Sequence, residues 1–150
     1  MGNELVKKPV INPEYANFKL SIRVSKIHSR GVYAEEPIPP RRKVIEYTGE
    51  RISRRETKRR GDGPLTYLFT LDDYWTLDGA VGGSGAEIIN HSCDPNLRAM
   101  TFKGHILYIS KRSIRRGEEL TLDYRFDKDI EQVPCRCGAK RCRGVINLVE

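Results

Sequence analysis

The stretch Ile88-Ile89-Asn90-His91-Ser92-Cys93-Asp94-Pro95-Asn96 decides how the rest of this chain is read. It places two polar side chains, Asn90 and His91, close to a cysteine, after two isoleucines and before a proline. The other three cysteines stand far downstream, at Cys135, Cys137 and Cys142. Thiolates crowded in this way suit a tetrahedral ion, and four is the number of ligands a closed structural zinc site takes. Gly138, Lys140, Arg141 and Arg143 are their neighbours, an environment that favours deprotonated thiols. Two disulfides, or free thiols in a core, are the alternatives. A Cys135–Cys137 disulfide would be strained, however, and Met1–Val10 lacks the apolar core of a secretion signal. The one-residue separation also departs from the two-residue spacing of common zinc fingers. If Cys93 joins the other three, the ion draws the C-terminal tail back over Asn90 and His91.

Outward from this stretch the chain reads as mostly β. Phe18, Leu20, Ile22 and Val24 alternate with polar residues, the period of a half-buried strand. Short apolar runs follow at Gly31–Ala34, Lys43–Tyr47, Tyr67–Leu71, Leu97–Phe102 and His105–Ser110. Lys103-Gly104 between the last two predicts a tight hairpin turn. Gly61-Asp62-Gly63-Pro64 and Gly82-Gly83-Ser84-Gly85 are strong breakers. Helical signals are confined to Ser53–Arg60 and the approach to Asn90. The first 17 residues read as a loosely held lead-in.

A chain of 150 residues fits one domain and buries enough surface to fold without disulfides. Its net charge of +7 collects in Arg41–Lys43, Arg51–Arg60 and Lys111–Arg116. That balance suits nucleic acid or another polyanion, or simply a solvated basic surface. No stretch approaches a membrane span, and Val6 stands where a myristoylation signal wants Ser or Thr. A soluble intracellular protein is the expectation, in cytoplasm or nucleus.

Three blocks carry the chemistry. The first is Ser29-Arg30-Gly31-Val32-Tyr33-Ala34, followed by Lys43-Val44-Ile45-Glu46-Tyr47-Thr48-Gly49-Glu50. The second is the opening stretch. The third is Gly117-Glu118-Glu119-Leu120-Thr121-Leu122-Asp123-Tyr124, then the cysteine tail. In this order and spacing, from roughly Lys19 to Glu150, they resemble the SET-domain protein-lysine methyltransferases with a cysteine-rich post-SET segment. Pro134–Arg143 is most similar to the tail of the trithorax-type branch.

The resemblance implies small twisted sheets in which the Asn90–Cys93 and Leu120–Tyr124 segments thread past one another, a rare arrangement. It implies a lead-in over 1–17, a SET domain over 18–130 and a zinc-binding post-SET segment over 131–150. S-adenosylmethionine and a lysine-bearing protein, a histone tail or another basic protein, then bind on opposite faces joined by a narrow channel. Tyr124 matches the catalytic tyrosine and Tyr47 a second channel tyrosine. Backbone groups of Arg30, Gly31, Val32 and Tyr33 match one part of the cofactor site. Asn90 and His91, with Tyr67 and Arg136, match the rest, and Cys93, Cys135, Cys137 and Cys142 match the zinc ligands. The physical logic is desolvation. Free lysine has a pKa of about 10.4, and an apolar aromatic channel beside a sulfonium disfavours its ammonium form.

Two departures from the family pattern bear on function. Leu122 stands where relatives carry Phe or Tyr, which leaves room near the amine and predicts di- or trimethylation. Trp75 and Phe126 are candidate rings to fill the gap. Only 16 residues separate Glu50 from Tyr67, predicting a shallow peptide groove or one completed by a partner. A basic enzyme facing a basic peptide needs local acidity, for which Asp72, Asp73, Asp78, Glu46 and Asp123 are the candidates. The competing readings are a SET-like scaffold without catalysis and a basic zinc-stabilised nucleic-acid-binding domain. The latter predicts interleaved aromatic and basic residues on one face, and no such stripe stands out in the sequence.

Overall fold

A computed structural model describes residues 9–61, 67–126, 128–129 and 131–149. Alternation in Phe18–Val24 materialises as strand β1 (Leu20–Val24), paired antiparallel with β2 (Arg30–Ala34). The run Lys43–Tyr47 is strand β3, and β4 (Glu50–Ser53) follows it almost at once. The reversal between them depends on Gly49, where a Cβ would lie 2.4 Å from the Asp78 carbonyl oxygen. Helix α1 (Arg54–Arg60) starts at Ser53, whose side chain accepts the Glu56 amide, and its last turn holds Lys58, Arg59 and Arg60. Cations there complement the helix dipole. Of the Gly61–Pro64 breaker, only Gly61 lies within the described residues.

Strands β5 (Leu68–Thr70) and β6 (Trp75–Asp78) complete a three-stranded sheet in the order β4-β6-β5. The alternation rule misses β4 because only Ile52 is buried there, and misses β6 because Thr76, Leu77 and Asp78 are all buried. The approach to Asn90 is a single 3₁₀ turn, Ala86–Ile88, leading into the two-residue strand β7 (Asn90–His91). Then come β8 (Leu97–Phe102) and β9 (His105–Ser110), joined by Lys103 and Gly104 at φ of 48° and 83°. Two consecutive left-handed residues are what a two-residue hairpin turn requires.

The last strand, β10 (Thr121–Leu122), is the structural key. It runs parallel to both β7 and β8 and lies between them, in a five-stranded sheet ordered β3-β9-β8-β10-β7. Thr121 faces Asn90 and Leu122 faces His91. Two sequence blocks some thirty residues apart thus become neighbours, as the resemblance implies for the crossing segments. Around them a core of Val32, Val44, Ile45, Ile89, Leu97, Ile106, Ile114 and Leu120 is almost wholly excluded from solvent.

Residues 9–17 are held more firmly than a loose lead-in. The Ile11 side chain packs on the core. Asn12 donates to the Ser84 carbonyl, Asn17 to that of Val44, and Glu46 to that of Tyr15. Residues 15–17 therefore cover the free edge of β3, a use of backbone groups that an edge strand leaves unpaired.

Asn96, only 1% exposed, pins β10. Its Oδ1 accepts the Thr121 amide at 2.9 Å, and its Nδ2 donates to the Glu119 carbonyl at 2.9 Å and to Glu118 Oε2 at 3.2 Å. Removing that amide leaves buried backbone groups unpaired, each costing about 1–3 kcal/mol. Asn96→Ala is expected to lower unfolding free energy by about 2–4 kcal/mol in urea titration. An unchanged midpoint would show that the crossing does not depend on this side chain.

Candidate functional site

Asn90 lies at the first convergence of elements. Its side-chain amide lies 2.9 Å from the Arg30 carbonyl, 3.2 Å from that of His28 and 2.9 Å from Glu119 Oε2. Ser25 Oγ is 3.1 Å away and itself donates to the Glu119 carboxylate. The Tyr33 hydroxyl reaches the same carboxylate at 3.3 Å. Burial, and then the negative charge of Glu119, raise the Tyr33 pKa above the usual tyrosine value. Gly31 makes room for this cluster, since a Cβ there would fall 2.2 Å from Glu119 Oε2. The Val32 side chain is core, and its carbonyl accepts the Leu120 amide at 2.7 Å. Carbonyl oxygens, an amide and a carboxylate meeting at one point suit the charged groups of an amino-acid moiety.

His91 links that cluster to a second one. Its Nδ1 accepts the backbone N–H of Tyr124 at 3.0 Å, so the ring proton of the neutral form lies on Nε2, 3.5 Å from Cys93 Sγ. Burial lowers the His91 pKa, against the opposing pull of Asp123 and with the help of Arg143. The Tyr124 ring packs edge-on to His91 at 5.3 Å and against Phe126 at 5.7 Å. Its hydroxyl donates to the Ile89 carbonyl at 2.5 Å. Desolvation raises the Tyr124 pKa, and the nearby Tyr67 adds to the effect.

Tyr47 projects from β3 into an aromatic group with Phe69 (5.2 Å between centroids) and Tyr108 (6.1 Å). Its hydroxyl donates to the Tyr67 carbonyl. Burial again raises its pKa, followed by the fields of Glu87 and Asp78. The fully enclosed Tyr108 hydroxyl senses both Tyr47 and Tyr124. Tyr47, Tyr108 and Tyr124 thus form one electrostatically connected set, each hydroxyl raised above the usual tyrosine value.

Cys93, Cys135, Cys137 and Cys142 present sulfurs that all lie within 4.8 Å of one another, with Cys93 and Cys135 3.7 Å apart. Zn–S bonds of about 2.3 Å in a tetrahedron place sulfurs about 3.8 Å apart. The donor set therefore fits one tetrahedral ion. Burial opposes ionisation of Cys137, but the backbone N–H groups of Cys93 and Ala139 hold its thiol at about 6. Burial and the neighbouring sulfurs push Cys135 up to about 12. Four thiols this close cannot all ionise without a cation among them.

Arg143 clamps the same tail from outside. Its guanidinium bonds both Asp123 oxygens, at 2.9 and 3.1 Å, and the carbonyls of Ile146 and Asn147. Its backbone N–H points at Cys93 Sγ, 3.3 Å away. Arg136, by contrast, is exposed and forms no hydrogen bond or ion pair with a described residue.

Several expectations need correction. Two of the anticipated groove acids are neutralised, Asp78 by Arg60 at 2.8 Å and Asp123 by Arg143, while Glu46 lies 2.7 Å from His105 Nδ1. Asp72 caps the amides of Tyr74 and Trp75. Trp75 lies on β6 under the Arg51 guanidinium, whereas Phe126 does pack on Tyr124. The residues that sequence reading passed over are Tyr108, Phe69, Glu87, Glu119 and Arg143. Nothing but register could have signalled Tyr108, which stands in an apolar strand. The paired Glu118-Glu119 before Leu120 was a usable cue for Glu119.

Residues 29–125 match the family model described as the SET domain. The chain belongs to the SET domain family. The match takes in Tyr33, Tyr47, Tyr67, Asn90, His91 and Tyr124. Beyond it, this SET chain is 41% identical over 132 residues to histone-lysine N-methyltransferase trithorax of Drosophila virilis, across 82% of this chain and 3% of that protein. Histone-lysine N-methyltransferase 2B of Homo sapiens is 41% identical over 134 residues, across 82% and 5% respectively. Histone H3-lysine(4) N-trimethyltransferase ATX1 of Arabidopsis thaliana is 40% identical over 143 residues, across 88% and 14%. The chain therefore spans only a small part of the length of the relatives it matches.

The clamp has a pH signature. Burial raises the Asp123 pKa, but its hydrogen bonds to Arg143 outweigh that and hold it below the ordinary carboxylate range. A folded-state pKa below the unfolded value of about 3.9 stabilises the fold above that pH and is lost as pH falls through the folded value. Asp123→Asn is expected to flatten the loss of stability between about pH 4 and pH 2, read from urea midpoints, and to expose the 131–149 segment to protease at neutral pH. Retention of the parent acid slope would remove Asp123 from this role.

Proposed function

We propose that this chain is a protein-lysine N-methyltransferase acting on a lysine of a histone tail or another basic protein. The observation that carries the reading is the Tyr124 hydroxyl, which donates to the Ile89 carbonyl within the linked set of tyrosines. S-adenosylmethionine supplies a methyl carbon on a positively charged sulfur, which a neutral amine can attack in line. The pocket around Asn90, with the carbonyls of His28 and Arg30 and the Glu119 carboxylate, is suited to its amino-acid portion. Arg136 would close over the opposite end from the cysteine segment.

Each of the chain's residues has a distinct task in this scheme. Tyr47, Phe69, Tyr108 and Tyr124 exclude water from the lysine stem and penalise its ammonium, so that the proton leaves to solvent before attack. The Tyr124 hydroxyl, already oriented by Ile89, directs the lone pair. Positioning of this kind is worth up to about 7–11 kcal/mol in favourable cases. After transfer the former sulfonium is a neutral thioether, and the positive charge resides on the methylated ammonium.

We further take 18–130 as the catalytic unit and 131–150 as a post-SET segment holding one structural zinc through the four cysteines. The His91 Nε2–H directed at Cys93 is the kind of outer contact that orients metal ligands. Zinc would thereby stiffen the wall beside His91 and Tyr124. The names of the trithorax and ATX1 relatives support histone H3 as the first substrate to try.

The test is transfer of a labelled methyl group from S-adenosylmethionine to histones, a basic nucleoid protein and cell extract. Tyr124→Phe is expected to reduce kcat at least about 100-fold while leaving donor affinity within a few-fold. No transfer to any protein, with no donor binding by calorimetry, would sink this reading and leave a scaffold. Leu122 is buried beside this channel and presents no hydroxyl to hold a water at the amine. Wild-type protein is therefore expected to add two or three methyl groups, and Leu122→Tyr to stop at one, read by peptide mass spectrometry.

A further inference from the structure

One end of the five-stranded sheet carries a concentration of positive charge that the proposed transfer reaction does not use. Register sets Lys43 and Arg98 on either side of Ile109, all three in one cross-strand row. The Arg41 amide donates to the Ser110 carbonyl and that of Lys111 to the Asn96 carbonyl, so both cations stay at this same end. All four side chains are exposed, and none pairs with a described carboxylate.

The loop after β9 continues the band. The bridge between Ile38 and Ile114 ties it to the Pro39–Arg42 segment, where the Ser110 hydroxyl also donates to the Pro39 carbonyl. Residues 112–118 enclose an open hollow of about 590 Å³ whose rim includes Arg112, Arg115 and Arg116. The one acid there, Glu118, is already committed to Arg112 at 2.7 Å, to the Arg115 amide and to Asn96. Arg115 and Arg116 have no such partner among the described residues.

We infer that this band, from Lys43 and Arg98 across Lys111 to the Arg115–Arg116 hollow, is a docking surface for the phosphate backbone of duplex nucleic acid. A solvated basic face needs no order, yet here six cations without a described carboxylate partner are gathered at one sheet end, where the hollow's one acid, Glu118, is already engaged by Arg112. Arginine forks suit phosphate oxygens in particular. Among the described residues no cation of the band lies over an aromatic ring, although the neighbouring Arg42 lies over Phe18. That argues for backbone contact along a duplex rather than stacking on single-strand bases. The inference stands apart from methyl transfer and needs neither donor nor substrate.

The experiment is fluorescence anisotropy of the whole protein with a labelled random-sequence DNA duplex over a salt series. Wild-type protein is expected to bind, with affinity falling steeply as salt rises. The triple variant Lys111→Glu/Arg115→Glu/Arg116→Glu is expected to bind at least about ten-fold more weakly. The neutral triple, with Gln at the same positions, should lower the log–log salt slope by about 2–3. A control with equal charge change elsewhere, Arg55→Glu/Lys58→Glu/Lys103→Glu, should bind within two-fold of wild type. Equal loss in both Glu triples would overturn a localised surface, as would no binding by wild type. Competition by polyglutamate as strong as by unlabelled duplex would assign the band to acidic protein instead. Thermal melts of every variant separate these outcomes from misfolding.

Discussion

The parallel seating of Thr121-Leu122 between two strands from earlier in the chain is the constraint on which everything else rests. Parallel pairs need a long connection, and here the connection is the whole β8–β9 hairpin and its following loop. Pairing over two residues gives little energy of its own. What fixes it is a set of buried polar contacts, above all the Asn96 side chain, which takes the Thr121 amide and returns a bond to the Glu119 carbonyl. Such groups have no favourable alternative once water is excluded. Register there is therefore all or none, and it sets Asn90 beside Thr121 and His91 beside Leu122.

From that seating two clusters follow on either side of one short segment. Toward the N-terminal hairpin, Asn90 meets Glu119, Ser25 and the carbonyls of His28 and Arg30. Toward the C-terminus, His91 joins the Tyr124 amide to the Cys93 sulfur. The polar cluster around Asn90 and the aromatic contacts of Tyr124 thus share a backbone rather than touching by chance. The cysteine segment and the Arg143–Asp123 pair close the arrangement at the chain's end. Asp78 and Asp123 are matched locally by Arg60 and Arg143, while six cations without a described carboxylate partner gather at one end of the main sheet.

Glu87 has no cation partner among the described residues. Burial raises its pKa, and its carboxylate accepts the Gly85 amide at 2.8 Å rather than a cation. It sits close enough to Tyr47 for its charge to be felt there. Of the five acids that the sequence offered for local acidity, Asp78 and Asp123 are held by Arg60 and Arg143, and Glu46 meets His105.

What the sequence determined by itself was pattern that is local or rigid in spacing. Alternation marked β1, the Lys103-Gly104 pair marked the hairpin turn, and the Ser53–Arg60 stretch marked α1. The ordered blocks around Tyr47, Asn90 and Tyr124 carried the family, since their residue types and separations recur together. Only the tertiary structure decided which carboxylates are paired, which ring packs on Tyr124, and that residues 15–17 line the β3 edge. Those outcomes depend on contacts between segments far apart in the chain. Tyr108 enters the aromatic group of Tyr47 because β9 packs in one register against β3, whereas Trp75 stays out of it at the exposed start of β6, under Arg51. A side chain's type states what it can do, whereas its partners are set by burial and register, and these exist only once the crossing strand is in place.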